Sequence, residues 1–587
     1  MLSHASQPLR YSEKIAAIRS RLADKKIDGL IIRGTDRFLS EYVPENESHR
    51  VWLSGFTGST GDIFLTLNKA FLFVDGRYYL QADQQVDPKL YEVVKVPLGM
   101  SLEKAIMQKL YTLYSAGRHR IGYSPDQFSV DSLKRFHKET EKLSLEWIPL
   151  LPSPLEEVRT PEKERTGKIW KIDFSLSGFH TEQKLARLRE FMSANHIHLW
   201  IVQALDEIAY LSNLRGDEIP FQATFKSIAL VTPDRCYIAL PKAKRAESLD
   251  VKEITFIEMN RWEDILMAST KNGLIGFDSA TTTEATRLIL TSKSIPYTTI
   301  SSPIVPMKAN KTPEEFQHML RSFQRADQVV YQAKNWLCKK VSTGEPVTEA
   351  LFSAKVEKLF KRSGAFSLSF HIISAAGSNA AVIHYSNPDP NRVIQNGEMV
   401  LLDTGAYYEG GYATDLTRTF LVGPAKQKAT FEQKRIFTLV LKGAIAGMRA
   451  VFPKGTSGVA LDALVRKPMW EAGYHYNHGT GHGVGINVHE SPPRVSTQGD
   501  ILEKGQIFSI EPGIYIPEFG GVRIENLCTV IEHPKFHDWL MVTPLTFSPF
   551  DERLIDAPLL TRDEKKWLTW YKSQYKLELT SPPVPIP

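Results

Sequence analysis

Four acidic residues sit inside runs that otherwise read as apolar β structure. Asp403 ends MVLLD, Asp415 lies in ATDLTRTFLV, Glu511 in GQIFSIEPGIYI and Glu525 in VRIENLCTVI. The turn YYEGGY between the first two acids predicts a β-hairpin with one Asp on each strand, and PEFGG separates the second pair in the same way. Between the pairs lies HGTGHGVG, which carries His478 and His482. Taken singly, each residue has an ordinary explanation. An Asp near a turn is usually a turn-former, a strand Glu faces solvent, and a lone His is a hydrogen-bonded structural residue. Taken together they are harder to dismiss, because carboxylates are rarely buried without a partner. Two hairpins aiming four carboxylates into one pocket would repel each other strongly, and divalent cations remove that repulsion. Four carboxylates carry four negative charges, a neutral imidazole adds none, and two divalent ions return four positive charges. An oxygen-rich set with one histidine suits hard or borderline ions such as manganese.

Two such ions about 3.5–4 Å apart hold a bridging hydroxide and polarise a carbonyl, which is machinery for hydrolysis, here of an amide. His384 in AVIHYSN, His478, and His489 in NVHESPP are candidates to hydrogen-bond the scissile carbonyl or move a proton. Arg523 precedes Glu525 by two residues, so both point to one face of a strand, where Arg523 can pair with a metal-ligating Asp. Cys528 lies an odd number of residues from Glu525 and is expected to face away.

The elements that position these residues follow from length and periodicity. A chain of 587 residues is too long for one core and implies two to four domains. Hydrophobic residues make up 42% and the net charge is only +6, with basic and acidic residues interleaved as in TPEKERTGK. That composition argues against bulk disorder and against a nucleic-acid stripe. No apolar run is long enough to span a membrane, and MLSHASQPLRYSEK lacks the apolar core of a signal peptide, so a cytoplasmic location is expected. Cys236, Cys338 and Cys528 form no CxxC pair, which indicates neither a disulfide framework nor a thiolate zinc site.

Two N-terminal segments each run from a helix pattern into a strand. In the first, Ile15, Ile18 and Leu22 share a face ahead of GLIIRG; in the second, Leu185, Leu188 and Met192 do so ahead of HLWIVQ. The repetition predicts two related α/β domains, joined by a linker from Leu151 to Gly167. Thr312, Pro313 and Glu315 predict a capped helix start for a third region that runs to about Phe550. A last helix is expected from Thr561, with Glu564 as its capping acid and Trp567, Trp570 and Tyr571 as packing residues, before TSPPVPIP.

The motifs LLDTGAYY, ATDLTRTFL, HGTGHGVG, NVHE, IEPGIYI and GVRIEN, in this order, resemble the M24 metallopeptidases of the pita-bread fold. DRFLSEYVPE, RVWLSGFTGSTG, VDGRYYLQAD and LDEIAYLSNLRGDEIP narrow the resemblance to the aminopeptidase P group of the cytosolic three-domain type. It implies an α/β (α+β) chain: creatinase-like domains over 1–152 and 153–308, a pita-bread catalytic domain over 309–552, and a helical extension over 553–587. It further implies Asp403, Asp415, His482, Glu511 and Glu525 as metal ligands, with Asp415 and Glu525 bridging two ions, usually manganese. His384 and His489 would contact substrate around the scissile bond and the proline. His478 would stand behind the metal ligands, Tyr515 would line the proline side, and Arg523 would pair with Asp403. The implied substrate is a peptide with proline in second position, and the implied assembly is a homodimer without nucleic-acid or membrane partners. Such a bond is a tertiary amide without an N–H, which general peptidases cleave poorly. A prolidase acting on dipeptides, a ligand-free binding module and metal-free creatinase chemistry are the alternatives.

Overall fold

In this computed structural model, the described residues are 10–160, 166–242, 249, 251–269, 273–575 and 577–584. Most of the MLSHASQPLRYSEK segment, part of TPEKERTGK and the last three residues of TSPPVPIP lie outside them.

The two N-terminal units share one topology. Helix Tyr11–Asp24 buries Ile15, Ile18 and Leu22 and leads into strand Gly29–Ile32. Helix Thr181–Ala194 buries Leu185, Leu188 and Met192 and leads into strand Ile197–Val202. Each of these strands lies inside a six-stranded sheet. In both sheets the first strand pairs antiparallel with the second and parallel with the fifth. The second pairs antiparallel with the third, while the third and fourth, and the fifth and sixth, run parallel. Identical order and identical strand directions make this a structural repeat, as the two helix–strand patterns predicted. The expected linker departs from the reading at one point: it contains helix Pro154–Val158, because Ser153 and Glu156 form a capping box around Pro154.

The third region opens with helix Pro313–Ser342. Thr312 Oγ1 accepts from Glu315 N at 3.1 Å, and Glu315 Oε2 accepts from Thr312 N at 2.9 Å, the predicted reciprocal cap. A three-stranded sheet, Ile373–Ala376, Met399–Thr404 and Leu416–Leu421, shares its core with helices Pro313–Ser342 and Glu349–Arg362. A six-stranded sheet that includes Gly481–Gly483, Ile507–Ile510 and Asn526–Glu532 shares its core with helices Phe431–Met448 and Gly458–Trp470. Two sheets, each backed by a helix pair, leave their opposite faces free to meet. The terminal helix Arg562–Gln574 adds Trp567, Trp570 and Tyr571 to the second core, and Cys528 is buried there as expected.

Candidate active site

Asp403 lies on strand Met399–Thr404, flanked across the sheet by Ile373 and Thr417. The other three acids sit just off strands, which corrects the reading of unbroken runs. Asp415 immediately precedes Leu416–Leu421. Glu511 falls between Ile507–Ile510 and Gly513–Ile516, and Glu525 between Gly520–Arg523 and Asn526–Glu532. The two interruptions face each other, since Ile510 pairs with Asn526 and Gly513 with Arg523. Pro512 has no N–H for a ladder. The acids' own amides are satisfied elsewhere: Glu511 N donates to Thr480 O at 2.8 Å and Glu525 N to Thr417 O at 3.2 Å. Both residues are thereby tied to the neighbouring segments that carry His482 and follow Asp415.

Asp403, Asp415, His482, Glu511 and Glu525 line one cavity of about 610 Å³, together with His384, His478, His489 and Arg523. His482 Nε2 lies 3.5 Å from Asp415 Oδ2 and 3.4 Å from Glu511 Oε1. Its Nδ1 lies 3.1 Å from Gly483 O, a bond that puts the proton on Nδ1 and leaves the Nε2 lone pair facing the acids. Asp415, His482 and Glu525 offer donor atoms all within 4.8 Å of one another. Arg523 Nη2 donates to Asp403 Oδ2 at 2.5 Å, Thr417 Oγ1 donates to Glu525 Oε2 at 2.8 Å, and Ser509 Oγ donates to Glu511 Oε1 at 3.3 Å.

Burial, and then the neighbouring carboxylates, push Asp415 and Glu525 well above the usual carboxylate range. Burial pushes Glu511 up to about 7 against the pull of Arg523. Asp403 Oδ1 is buried and finds no hydrogen-bond partner among the described residues. An orphaned carboxylate oxygen, mutually repelling acids and an imidazole turned lone pair inward together fit a pair of divalent cations.

The remaining predicted residues surround this group. His384 Nδ1 lies 2.8 Å from Tyr78 Oη, which itself lies 2.6 Å from Ser59 Oγ. His489 Nδ1 lies 2.6 Å from Glu41 Oε1, and its ring meets that of His482 edge-on with centroids 4.3 Å apart. His478 Nδ1 lies 2.7 Å from Gly479 O, so its Nε2 accepts from Tyr515 Oη at 2.9 Å. Tyr515 stands behind the cavity wall; its hydroxyl oxygen also accepts from Arg523 Nη1 at 2.8 Å. Burial holds His384, His478 and His482 well below the ordinary imidazole range, helped by nearby cationic groups. His489 moves the other way: burial opposes its charge, but Glu41 outweighs burial and raises it.

Glu41, Tyr42, Arg77, Tyr78 and Phe221 were not singled out from the sequence, yet all line the cavity. The Tyr78–His384 and Glu41–His489 contacts span 306 and 448 positions, distances at which spacing carries no signal. The only trace was their place in the motifs DRFLSEYVPE and VDGRYYLQAD.

Comparison with known proteins agrees with this architecture. The profile of metallopeptidase family M24 matches residues 317–532. Profiles of the creatinase/prolidase N-terminal domain match residues 14–160 and 159–315. A protein named Probable Xaa-Pro aminopeptidase P in Coprinopsis cinerea is 31% identical over 595 residues, covering 96% of this chain and 94% of its own. Its namesake in Talaromyces stipitatus is 32% identical, covering 96% and 88%. The crystal structure of X-prolyl aminopeptidase from Caenorhabditis elegans, described as a cytosolic enzyme with a di-nuclear active site, superposes with a TM-score of 0.89 at 27% identity, covering 97% of this chain and 95% of its own. The prolidase from Pyrococcus horikoshii, at 26% identity and a TM-score of 0.51, covers only 64% of this chain. With its acid-lined cavity and these near-full-length relatives, the chain belongs to metallopeptidase family M24, among the Xaa-Pro aminopeptidases P.

Proposed function

We propose that this chain is a metal-dependent aminopeptidase that hydrolyses the bond between the first residue of a peptide and a following proline. The observation that carries this reading is the meeting of four carboxylates and one inward-facing imidazole in a single cavity. Asp403, Asp415, His482, Glu511 and Glu525 would hold two divalent ions, with manganese as the metal. When bound, the ions supply Lewis-acid activation of water and of the scissile carbonyl.

The chain's own groups do the rest. Arg523 keeps Asp403 oriented. With Tyr78 donating to Nδ1, His384 carries its proton on Nε2, where it donates to the scissile carbonyl. His489, whose hold on a proton Glu41 strengthens against burial, is placed to hand a proton to the departing proline nitrogen. His478 holds the Tyr515 hydroxyl in place against Arg523. The first domain contributes Tyr42, Arg77 and Tyr78 to the cavity wall around this group.

The three-domain architecture and the near-full-length match to aminopeptidases favour peptides over the dipeptides of a prolidase. A homodimer is the assembly we infer from the family, and the exposed apolar side chains Val459 and Trp470 on helix Gly458–Trp470, with Ile501 beside its start, are available for such a contact. A cytoplasmic site of action agrees with the cytosolic description of the Caenorhabditis elegans enzyme, and no helix among the described residues is long and apolar enough to cross a membrane.

Metal analysis of the purified protein, coupled to cleavage of Xaa-Pro-Pro and Xaa-Pro, tests the reading. Two ions per chain and turnover of the tripeptide are expected. Cleavage of the dipeptide alone would move the assignment to a prolidase, and a metal-free, inactive protein would end it.

A further inference from the structure

Only Pro220 of the LDEIAYLSNLRGDEIP segment of the second domain lines the cavity, yet Glu207, Arg215 and Glu218 are buried and Asp206 is half-buried. Asp206 opens helix Leu205–Ser212, and its Oδ2 lies 2.5 Å from Lys308 Nζ. Lys308, only 6% exposed, sits on helix Ile304–Ala309 at the junction with the catalytic domain. The same ammonium lies 2.9 Å from Glu490 Oε1. Lys311 Nζ lies 3.7 Å from Glu490 Oε2, and Asn487 N donates to Glu490 Oε1 at 3.1 Å. Glu490 directly follows His489 and is 9% exposed.

We propose that Asp206 and Lys308 of the second domain act through Glu490 as positioning residues for His489. A buried ion pair is a poor source of net stability, because desolvation consumes most of the Coulomb gain, and apolar residues of equal volume often do as well. What such a pair does supply is direction: breaking it strands a charge, so the chain has one favourable arrangement. Here the arrangement concerns the loop from Val484 to His489, which buries Val484, Ile486 and Val488 in the core and leaves His489 to be aimed from its end. Val484 N donates to Ile507 O at 3.0 Å, Gly485 N to Asn487 O at 3.0 Å, and Ala413 N to Gly485 O at 2.8 Å. A Cβ on Gly485 would lie 2.4 Å from the Glu490 carboxylate, so that carboxylate is folded tightly beneath its own loop. Beyond it, His489 must reach both the His482 ring and Glu41. The same segment buttresses a second site loop. Arg215 Nε donates to Gly410 O at 3.0 Å, in the turn between Asp403 and Asp415.

This inference rests on His489 taking part in the reaction. The test is a double-mutant cycle on the full-length, metal-loaded enzyme, with kcat and KM for a Xaa-Pro-Pro tripeptide and metal content as readouts. Glu490→Gln, which keeps the shape and removes the charge, is expected to lower kcat by about 10- to 100-fold, with KM and metal content near the parent's, because small misplacements of an acting group cost that much. In a His489→Ala background the same change should cost less than about twofold, since residues acting as one unit are not additive. Asp206→Asn, at a side chain 17% exposed, should show the same pattern at smaller size and carries the cycle if Glu490→Gln does not fold. Equal fold losses in both backgrounds, or parental kcat in both single variants, would overturn the positioning role. Parental kcat in His489→Ala itself would remove the reading on which it rests.

Discussion

The two oxygens of Asp403 have opposite fates. Oδ2 takes the Arg523 guanidinium, while the buried Oδ1 has no partner among the described residues. The other acids raise one another's proton affinity through burial and proximity. Acids gathered this closely to hold cations should lose both metal and chemistry when one of them is neutralised. We expect Asp415→Asn and Glu525→Gln to fall to background activity with fewer than two ions per chain; a fully metallated, active Asp415→Asn enzyme would contradict the ligand assignment. His384 is a different case, because its Nδ1 is committed to Tyr78 and not to the acids. His384→Ala should lower kcat by about 10²- to 10⁴-fold, the range for a positioned proton donor, at near-normal metal content. An equal loss of metal would place His384 among the ligands.

At the scale of elements, the acids depend on backbone segments that approach closely. A Cβ on Gly405 would lie 1.8 Å from Thr414 O, within the hairpin that carries Asp403 and Asp415. A Cβ on Gly481, beside His482, would lie 1.9 Å from Ser509 O. Neither contact can relax by moving a flexible side chain, since the obstacle is backbone. Gly405→Ala should therefore cost about 1–3 kcal/mol of stability, typical of forced overpacking, and weaken metal binding as Asp415 shifts from Asp403. Thermal melts with and without added manganese, and metal titration, check both; parental values in both would show the hairpin to be more compliant than its geometry implies. Much at this scale was legible beforehand. The capping boxes at Thr312 and Thr561, the helix faces and the Asp403–Asp415 hairpin all follow from local chemistry. The interruptions at Glu511 and Glu525 were only half legible: Pro512, without an N–H, marks the first, but nothing local in Ile524-Glu525-Asn526 says that the chain leaves its strand there.

At the scale of the molecule, the junction between the second and third domains is rich in buried charge. Burial, and then the adjacent Asp206, push Glu207 from the usual 4.5 up to about 8, while Ser302 Oγ donates to it at 2.6 Å. The folded state then holds a proton between about pH 4.5 and 8 that the unfolded chain releases, so this group's contribution to stability falls as pH rises through that window. Glu207→Gln should flatten the decline in Tm across it; an unchanged profile would mean that the carboxyl ionises freely. The exposed Trp470 side chain makes a second claim. Trp470→Glu is expected to convert a dimer to a monomer in sedimentation, and a parent that is already monomeric would remove the dimer proposal.

The sequence by itself determined which residues could do the chemistry, since buried carboxylates, Gly-flanked histidines and strand patterns are local facts with local physical causes. It also determined the helix–strand repeat of the first two domains, because an apolar stripe at helical spacing has only one way to be buried. Tertiary structure alone decided that Tyr78 and Glu41 would reach His384 and His489, and that Lys308 would link Asp206 to Glu490. All of those pairings except Asp206–Lys308 join residues on separate domains. Which side chains meet there depends on how whole packed units dock, and no period or spacing within a single segment encodes that.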